Sequence, residues 1–262
     1  MTDPLERFWV QLRDWTYDHY YLAYLVGTGV LCFSLAFPSK KWALISWAVV
    51  VVLGIVLEPC VNPYNPVYGA SLGRLEEENA VALTFDDGPA QDTPALLDLL
   101  GQLEVPATFF CVGRQLEQYP EVARRIAAEG HTLANHTEEH VNLMTLLPGA
   151  TRRQLQRVQE RLHSLTGQTP RWWRPPYGFR APWTFAVARR LGLKAVLWSC
   201  NPRDFHNPGP QVIVDRVLEK LRSGDIILLH DGFHSRGQTL QAVALLVPEL
   251  RRRGFKLVKL HG

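Results

Sequence analysis

The stretch "AVALTFDDGPA", residues 80–90, begins as a strand and ends as a turn. Ala80 to Phe85 form an apolar run of strand length, and Asp86, Asp87, Gly88 and Pro89 follow at once. Asp, Gly and Pro are common turn residues, so a tight turn alone would account for them. It does not account for what recurs downstream. "HTLAN" runs into His136, "RWW" into Arg174, "KAVLWS" into Asn201–Asp204 and "DIILL" into His230. Ionisable residues therefore end five successive apolar runs. In parallel α/β folds, ligands and catalytic groups gather at the carboxyl ends of the strands, so one site can collect all five.

Helical patterns alternate with these runs. "DTPALLDLLGQL" offers Thr93 as a cap and Pro94 at the first helical position, with Leu96, Leu99, Leu100 and Leu103 on one face. "TRRQLQRVQERLHSLTG" turns Leu155, Val158, Leu162 and Leu165 inward and Arg153, Arg157 and Arg161 toward solvent, and stops at Gly167. Strand alternating with helix predicts βα units around a mainly parallel sheet or barrel over residues 80–262.

With 262 residues, 47% of them hydrophobic, the chain can bury a sizeable core and is not a disordered polymer. A net charge of +3 without a long basic arm selects no nucleic-acid partner. Cys32, Cys60, Cys111 and Cys200 form no C-x-x-C pair and read as buried free thiols.

The first 57 residues differ from the rest. Tyr20–Phe37 and Trp42–Leu57 carry no ionisable group except tyrosine, and only "PSKK" separates them. They predict a transmembrane helical hairpin with Tyr20, Tyr21, Trp42 and Trp47 at the interfaces; the alternative is a pair of buried helices. Lys40 and Lys41 place the connecting loop in the cytoplasm by the positive-inside rule, which puts everything after Leu57 in the periplasm or cell exterior. Residues 58–79, rich in Pro, Asn, Gly and Glu, read as a linker.

His136 and His140 stand at i and i+4, a spacing that on a helical turn lets both grip one divalent ion. A carboxylate from another strand end would complete the set. Adjacent side chains on a strand face opposite ways, so Asp86 and Asp87 can share a pocket only where the strand breaks, and Gly88–Pro89 supply that break. One carboxylate can then bind metal while the other takes a proton from the attacking water. His230 could protonate the leaving group from the other side.

In order and spacing, "TFDDGP", "GHTLAN" with "HTEEH", "RPPYG", "WSCNPRDF" and "ILLHD" resemble the polysaccharide deacetylases, also called NodB-homology domains or carbohydrate esterase family four. The resemblance covers about residues 80–260. It implies a distorted, incomplete (β/α) barrel that removes acetyl groups from N-acetylglucosamine units, using Zn2+ or a similar ion such as Co2+. It further implies Asp87, His136 and His140 as metal ligands, Asp86 as general base and His230 as general acid. Arg174 would orient Asp86, Asp204 would tune His230, and the backbone N–H of Tyr177 would help hold the oxyanion. Pro176, Tyr177, Phe205 and Leu228 would line the substrate site, with Leu228 against the acetyl methyl. Trp172, Trp173, Phe179 and Trp183 are further aromatic residues that could stack on sugars.

The fourth motif departs from the family pattern Asp-x-x-Asp-Trp, since Asn201 and Phe205 replace its first and last residues. The expected consequence is altered substrate fit rather than lost activity. The substrate is expected to be a chitooligosaccharide, peptidoglycan or exopolysaccharide outside the cytoplasm. Two other readings stay open at this level. An O-acetyl esterase of xylan type would use the same site and depend less on His230. A non-catalytic glycan-binding envelope domain would have no physical reason to keep every metal and proton-transfer group.

Overall fold

The computed structural model describes residues 65–261, together with 58–62 and positions 48 and 52. The two segments expected to span a membrane, 20–37 and 42–57, fall outside the described residues apart from those two positions. No helix among the described residues is long and apolar enough to cross a membrane. The unit from Pro66 onward holds the sheet.

Its strands are β1 (Ser71–Leu72), β2 (Ala80–Asp86), β3 (Thr108–Cys111), β4 (Thr132–Asn135), β5 (Trp172–Trp173), β6 (Lys194–Val196), β7 (Ile226–His230) and β8 (Lys256–Val258). They lie in the order β1-β6-β5-β4-β3-β2-β7, with β8 added on β2, and every ladder is parallel. Between β6 and β7 there is no ladder. An isolated bridge, Cys200 to Ile227, and bonds such as Leu228 N–H to the Cys200 carbonyl at 2.9 Å span that gap. The sheet is therefore curled and incompletely closed, as the expected barrel is.

Period-two alternation sorts the side chains. Val81, Leu83 and Phe85 of β2 and Ile227 and Leu229 of β7 pack outward in one large core cluster with residues of the surrounding helices. Burying each such large side chain contributes about 1.5–3 kcal/mol. By the same alternation Thr84 and Asp86, and Leu228 and His230, take the opposite face, toward the barrel interior. Phe110 of β3 sits there too, with Ala134, Val196 and Ile226.

The helices are α1 (Thr93–Gln102), α2 (Gly113–Gln118), α3 (Pro120–Ala128), α4 (Pro148–Thr166), α5 (Thr184–Arg190), α6 (Pro210–Lys220) and α7 (Gly237–Arg252). α4 ends on Gly167 at φ +72, as its sequence predicts. Cys111 and Cys200 are free and buried, and Cys60 is buried.

Four local expectations are corrected. Asp92, not Thr93, occupies the cap position of α1; the Thr93 hydroxyl is drawn instead to the Asp231 carboxylate, at 2.7 Å. Arg161 is only partly turned to solvent, because its guanidinium reaches the buried Glu138 at 2.8 Å. Ser71–Leu72, expected within a linker, pairs with β6, and Arg74 bonds to the buried Asp225 at 2.7 Å. The local composition of 66–79 is turn-like, and only strand pairing with residues 195–196 makes two of them a strand. Finally, the segment 136–140 is not a helical turn, as described next.

Candidate metal and catalytic centre

The break after β2 brings the two carboxylates together. Asp87 takes φ +78, and the Gly88–Pro89 peptide is cis. Asp87 thereby leaves the strand direction, and its side chain joins that of Asp86 in one buried pocket. A side chain at Gly88 would collide with the Asp231 carboxylate, and one at Gly232 with the Asp87 backbone, so close backbone approach fixes both glycines.

The histidines arrive by a loop. Thr137 at φ +69 and His140 at φ +52 interrupt any helical path between His136 and His140. The start of α2 holds the loop instead: Gly113 N–H donates to the Thr137 carbonyl and Arg114 N–H to the Glu138 carbonyl, each at 3.0 Å. Glu139 is turned away, bonded to Arg114 at 2.5 Å and to Gln154 at 2.8 Å. His136 and His140 converge all the same, with ring centroids 5.0 Å apart.

Nε2 of His140 lies 3.1 Å and Nε2 of His136 3.5 Å from Asp87 Oδ1. These three donors all lie within 4.8 Å of one another. Asp87 Oδ1 is buried and has no hydrogen-bond partner, so an acceptor is left waiting among convergent nitrogens. The Arg174 carbonyl lies 2.8 Å from Nδ1 of His136; accepting its proton fixes the tautomer that leaves Nε2 as a lone-pair donor. Burial pushes the Asp87 carboxyl up, but His140 and His136 outweigh it and hold it well below the usual carboxylate range. Two imidazoles and one ionised carboxylate match the donor set of a divalent-metal site. The residues fit the ion.

Asp86 lies alongside. Arg174 Nη1 donates to its Oδ1 at 2.6 Å, while Oδ2 stands 3.6 Å from His136 Nε2. Arg174 is fully buried and also donates to Thr84 Oγ1 at 3.0 Å and to the Leu197 carbonyl at 3.1 Å. Its guanidinium sits 4.0 Å from the Phe110 ring centroid. Burial lowers the guanidinium pKa, and the Asp86 charge counters part of that.

His230, at the end of β7, is paired with Asp204. Its Nδ1 lies 2.7 Å from Asp204 Oδ1, and its backbone N–H donates to Oδ2 at 2.9 Å. The Thr239 hydroxyl donates to the same Oδ2 at 2.8 Å. Burial pulls the imidazole down, yet the Asp204 charge and hydrogen bond more than offset it, so the His230 pKa stands above its ordinary value.

The remaining expected residues divide. Tyr177, at φ +59, sets its ring edge-on to His140 at 4.7 Å, and Pro176 is buried beside it in sequence. Phe205 stands 5.3 Å from the His230 ring. Leu228 clusters with Leu197 and Trp198. Trp173 and Phe179 are buried, while Trp183 and Trp172 are half-buried and donate to the Leu146 and His261 carbonyls respectively. Asn201 Oδ1 accepts the Arg203 N–H at 2.9 Å, a turn bond that an aspartate could make equally well.

Two residues at the site were missed by sequence reasoning. Asp231 is buried under the Asp86–Gly88 turn; burial raises its pKa to about 7, with the Asp87 and Asp86 charges adding to the rise against the Thr93 bond. Phe233 places its ring 5.1 Å from His140. Both follow "ILLH" within three residues, and that adjacency was their only signal.

Residues 74–196 match the family model described as polysaccharide deacetylase. A chitooligosaccharide deacetylase of Bradyrhizobium sp. is 41% identical over 198 residues, 71% of this chain and 90% of that protein. A peptidoglycan-N-acetylglucosamine deacetylase of Bacillus cereus is 37% identical over 184 residues, 69% of this chain and 86% of that one. Among solved structures, a peptidoglycan N-acetylglucosamine deacetylase in complex with 4-naphthalen-1-yl-N-oxidanyl-benzamide superposes with a TM-score of 0.70 at 33% identity, over 72% of this chain and 90% of its own. With the curled parallel sheet and the residues at its strand ends, these likenesses place the chain in the polysaccharide deacetylase family, as an enzyme.

Proposed function

We propose that this enzyme removes the N-acetyl group from N-acetylglucosamine units of a glycan outside the cytoplasm, a chitooligosaccharide, peptidoglycan or exopolysaccharide. The observation that carries this reading is the unpartnered, buried Asp87 Oδ1 facing two histidine nitrogens, with a carboxylate–arginine pair on one side and a histidine–carboxylate pair near it. Asp87, His136 and His140 would hold the metal. Their nitrogen and oxygen donors suit Zn2+ or Co2+, and such an ion supplies Lewis acidity toward a water and a carbonyl oxygen.

The chain's own groups divide the proton work. Asp86, fixed through Oδ1 by Arg174, offers Oδ2 as the base that accepts the proton of the attacking water. His230 has Nδ1 committed to Asp204, which leaves Nε2 to give a proton to the departing amine. The Asp204 charge raises the His230 pKa and so favours the protonated ring. The Tyr177 backbone N–H is assigned to the developing oxyanion, and Leu228 and Pro176 to the acetyl pocket. Phe205 offers an aromatic wall beside His230. The two apolar segments before residue 58 tether the enzyme to the membrane, with the barrel on the outer side.

The test strips the full chain of metal, restores zinc, and measures acetate released from N-acetylchitooligosaccharides, peptidoglycan and acetylated xylan. Zinc-dependent release from either of the first two is expected. Zinc should also raise the melting temperature, and Asp87→Ala should abolish that rise. Release from xylan alone, or none from any substrate, refutes the reading.

A further inference from the structure

The segment that carries both metal-binding histidines is held in a conformation it would not adopt alone. Thr137 and His140 take left-handed backbone angles, φ +69 and +52, which residues other than glycine keep only where their surroundings impose them. The backbone bonds from Gly113 and Arg114 of α2 fix one side of this loop. The other side is fixed by α4. Gln154 Oε1 accepts the Glu139 N–H at 3.0 Å, the Leu155 carbonyl accepts from Asn135 Nδ2 at 2.7 Å, and Asn135 Oδ1 in turn accepts the Thr137 N–H at 2.9 Å.

Glu138 stands midway between His136 and His140, and the proton and metal chemistry gives it no part. Its side chain is nonetheless turned inward, and the residue is only 5% exposed. A carboxyl group so placed needs a counter-charge, and Arg161 supplies it, with Nη2 2.8 Å from Oε1. Arg161 follows Gln154 by two turns on the same face of α4, so one helix face grips the successive loop residues Glu138 and Glu139. Oε2 of Glu138 has no hydrogen-bond partner and lies against the start of α2, where a Cβ on Gly113 would come within 1.9 Å of it. Glycine at this position gives the carboxyl its seat, and the guanidinium closes the seat from the α4 side. Nη1 of Arg161 also stands 3.4 Å from Glu117 of α2, so the same side chain ties the two helices together around the loop.

The carboxyl cannot swing out to water unless the backbone between the histidines turns with it. That turn would carry along the two Nε2 atoms that face Asp87 Oδ1 at 3.5 and 3.1 Å. Resting on the reading of Asp87, His136 and His140 as metal ligands, we propose that Glu138 and Arg161 are the positioning pair of that centre. They set how closely the two histidine nitrogens converge, and so the affinity for the ion, while neither belongs to the donor set.

The full chain, Arg161→Met, Arg161→Lys and the double variant Arg161→Met with Glu138→Gln are stripped of metal. Zinc affinity is measured by competition with a chromophoric chelator, well below the melting temperature of each protein. The visible spectrum of the Co2+-loaded proteins and acetate release from N-acetylchitooligosaccharides are recorded beside it. Arg161→Met leaves Glu138 buried without its counter-charge and should weaken zinc binding about 10–100-fold, with shifted cobalt bands. The double variant removes the carboxyl's charge but keeps its shape, and should recover most of the lost affinity and the parent spectrum. Arg161→Lys keeps the charge without the fork that reaches both Glu138 and Glu117; it should fall between parent and Arg161→Met, and it decides the question if Arg161→Met does not fold.

Unchanged zinc affinity and an unshifted cobalt spectrum in the single variants overturn the positioning role, whatever the change in melting temperature, and leave the deacetylase reading standing. Failure of the double variant to recover binding overturns it as well. A weakened and rescued zinc site without acetate release from the parent upholds the positioning role and overturns the chemistry. A parent that binds no zinc overturns both.

Discussion

Replacing Arg174 by Met would leave Asp86 as a buried carboxylate with no counter-charge. The structure makes the loss specific: the 2.6 Å bond to Asp86 disappears, as do those to Thr84 and the Leu197 carbonyl, and the surrounding pocket admits almost no water. Breaking a buried pair from one side costs about 3–5 kcal/mol. For a domain of this size 1 kcal/mol moves the melting temperature by about 2–4 °C, so Arg174→Met should melt roughly 6–20 °C lower. Asp86→Asn alone should also destabilise, because it strands the arginine. The double variant removes both charges and should recover most of the loss, giving a coupling energy of about 3 kcal/mol or more. Calorimetry and urea unfolding in chelator, where no metal contributes, measure all four corners of the cycle. If Arg174→Met melts within about 2 °C of the parent, or the double variant melts no higher than the weaker single one, the claim that this pair is a coupled, desolvated unit is wrong.

Two further expectations concern protons. Asp204→Asn removes the charge that raises His230 and leaves burial to lower it, so the alkaline limb of the kcat/KM profile should move to lower pH with activity falling about 10²–10⁴-fold near neutrality; a profile with an unmoved limb would remove His230 from the acid's role. Asp231 is an acid whose folded pKa, about 7, lies above its ordinary value of 3.8. Its protonated form is therefore the compatible one: stability is full below about pH 4 and declines as pH rises through about 7. Asp231→Asn in metal-free protein should melt close to the parent at pH 4 and clearly above it at pH 8, by an amount on the order of a few kcal/mol. Parallel melting curves across that range would contradict the assignment.

The sequence by itself determined five of the strands, the helices α1 and α4, and which strand ends carry chemistry. Those follow from short-range rules: alternation along a strand, turn formers after it, and leucine spacing on helices such as α4. It also placed Asp86, Asp87, His136, His140, Arg174, Asp204 and His230 at one centre, because parallel strands present all their carboxyl ends on one side. It could not show how His136 and His140 converge, since the loop between them is shaped by hydrogen bonds to Gly113 and Arg114, more than 20 residues earlier. Nor could it make Ser71–Leu72 a strand, place Asp231 beneath the turn after β2, or set Phe233 against His140. Each of these depends on groups distant in the chain being packed within a few ångströms, and a linear pattern carries no term for that distance.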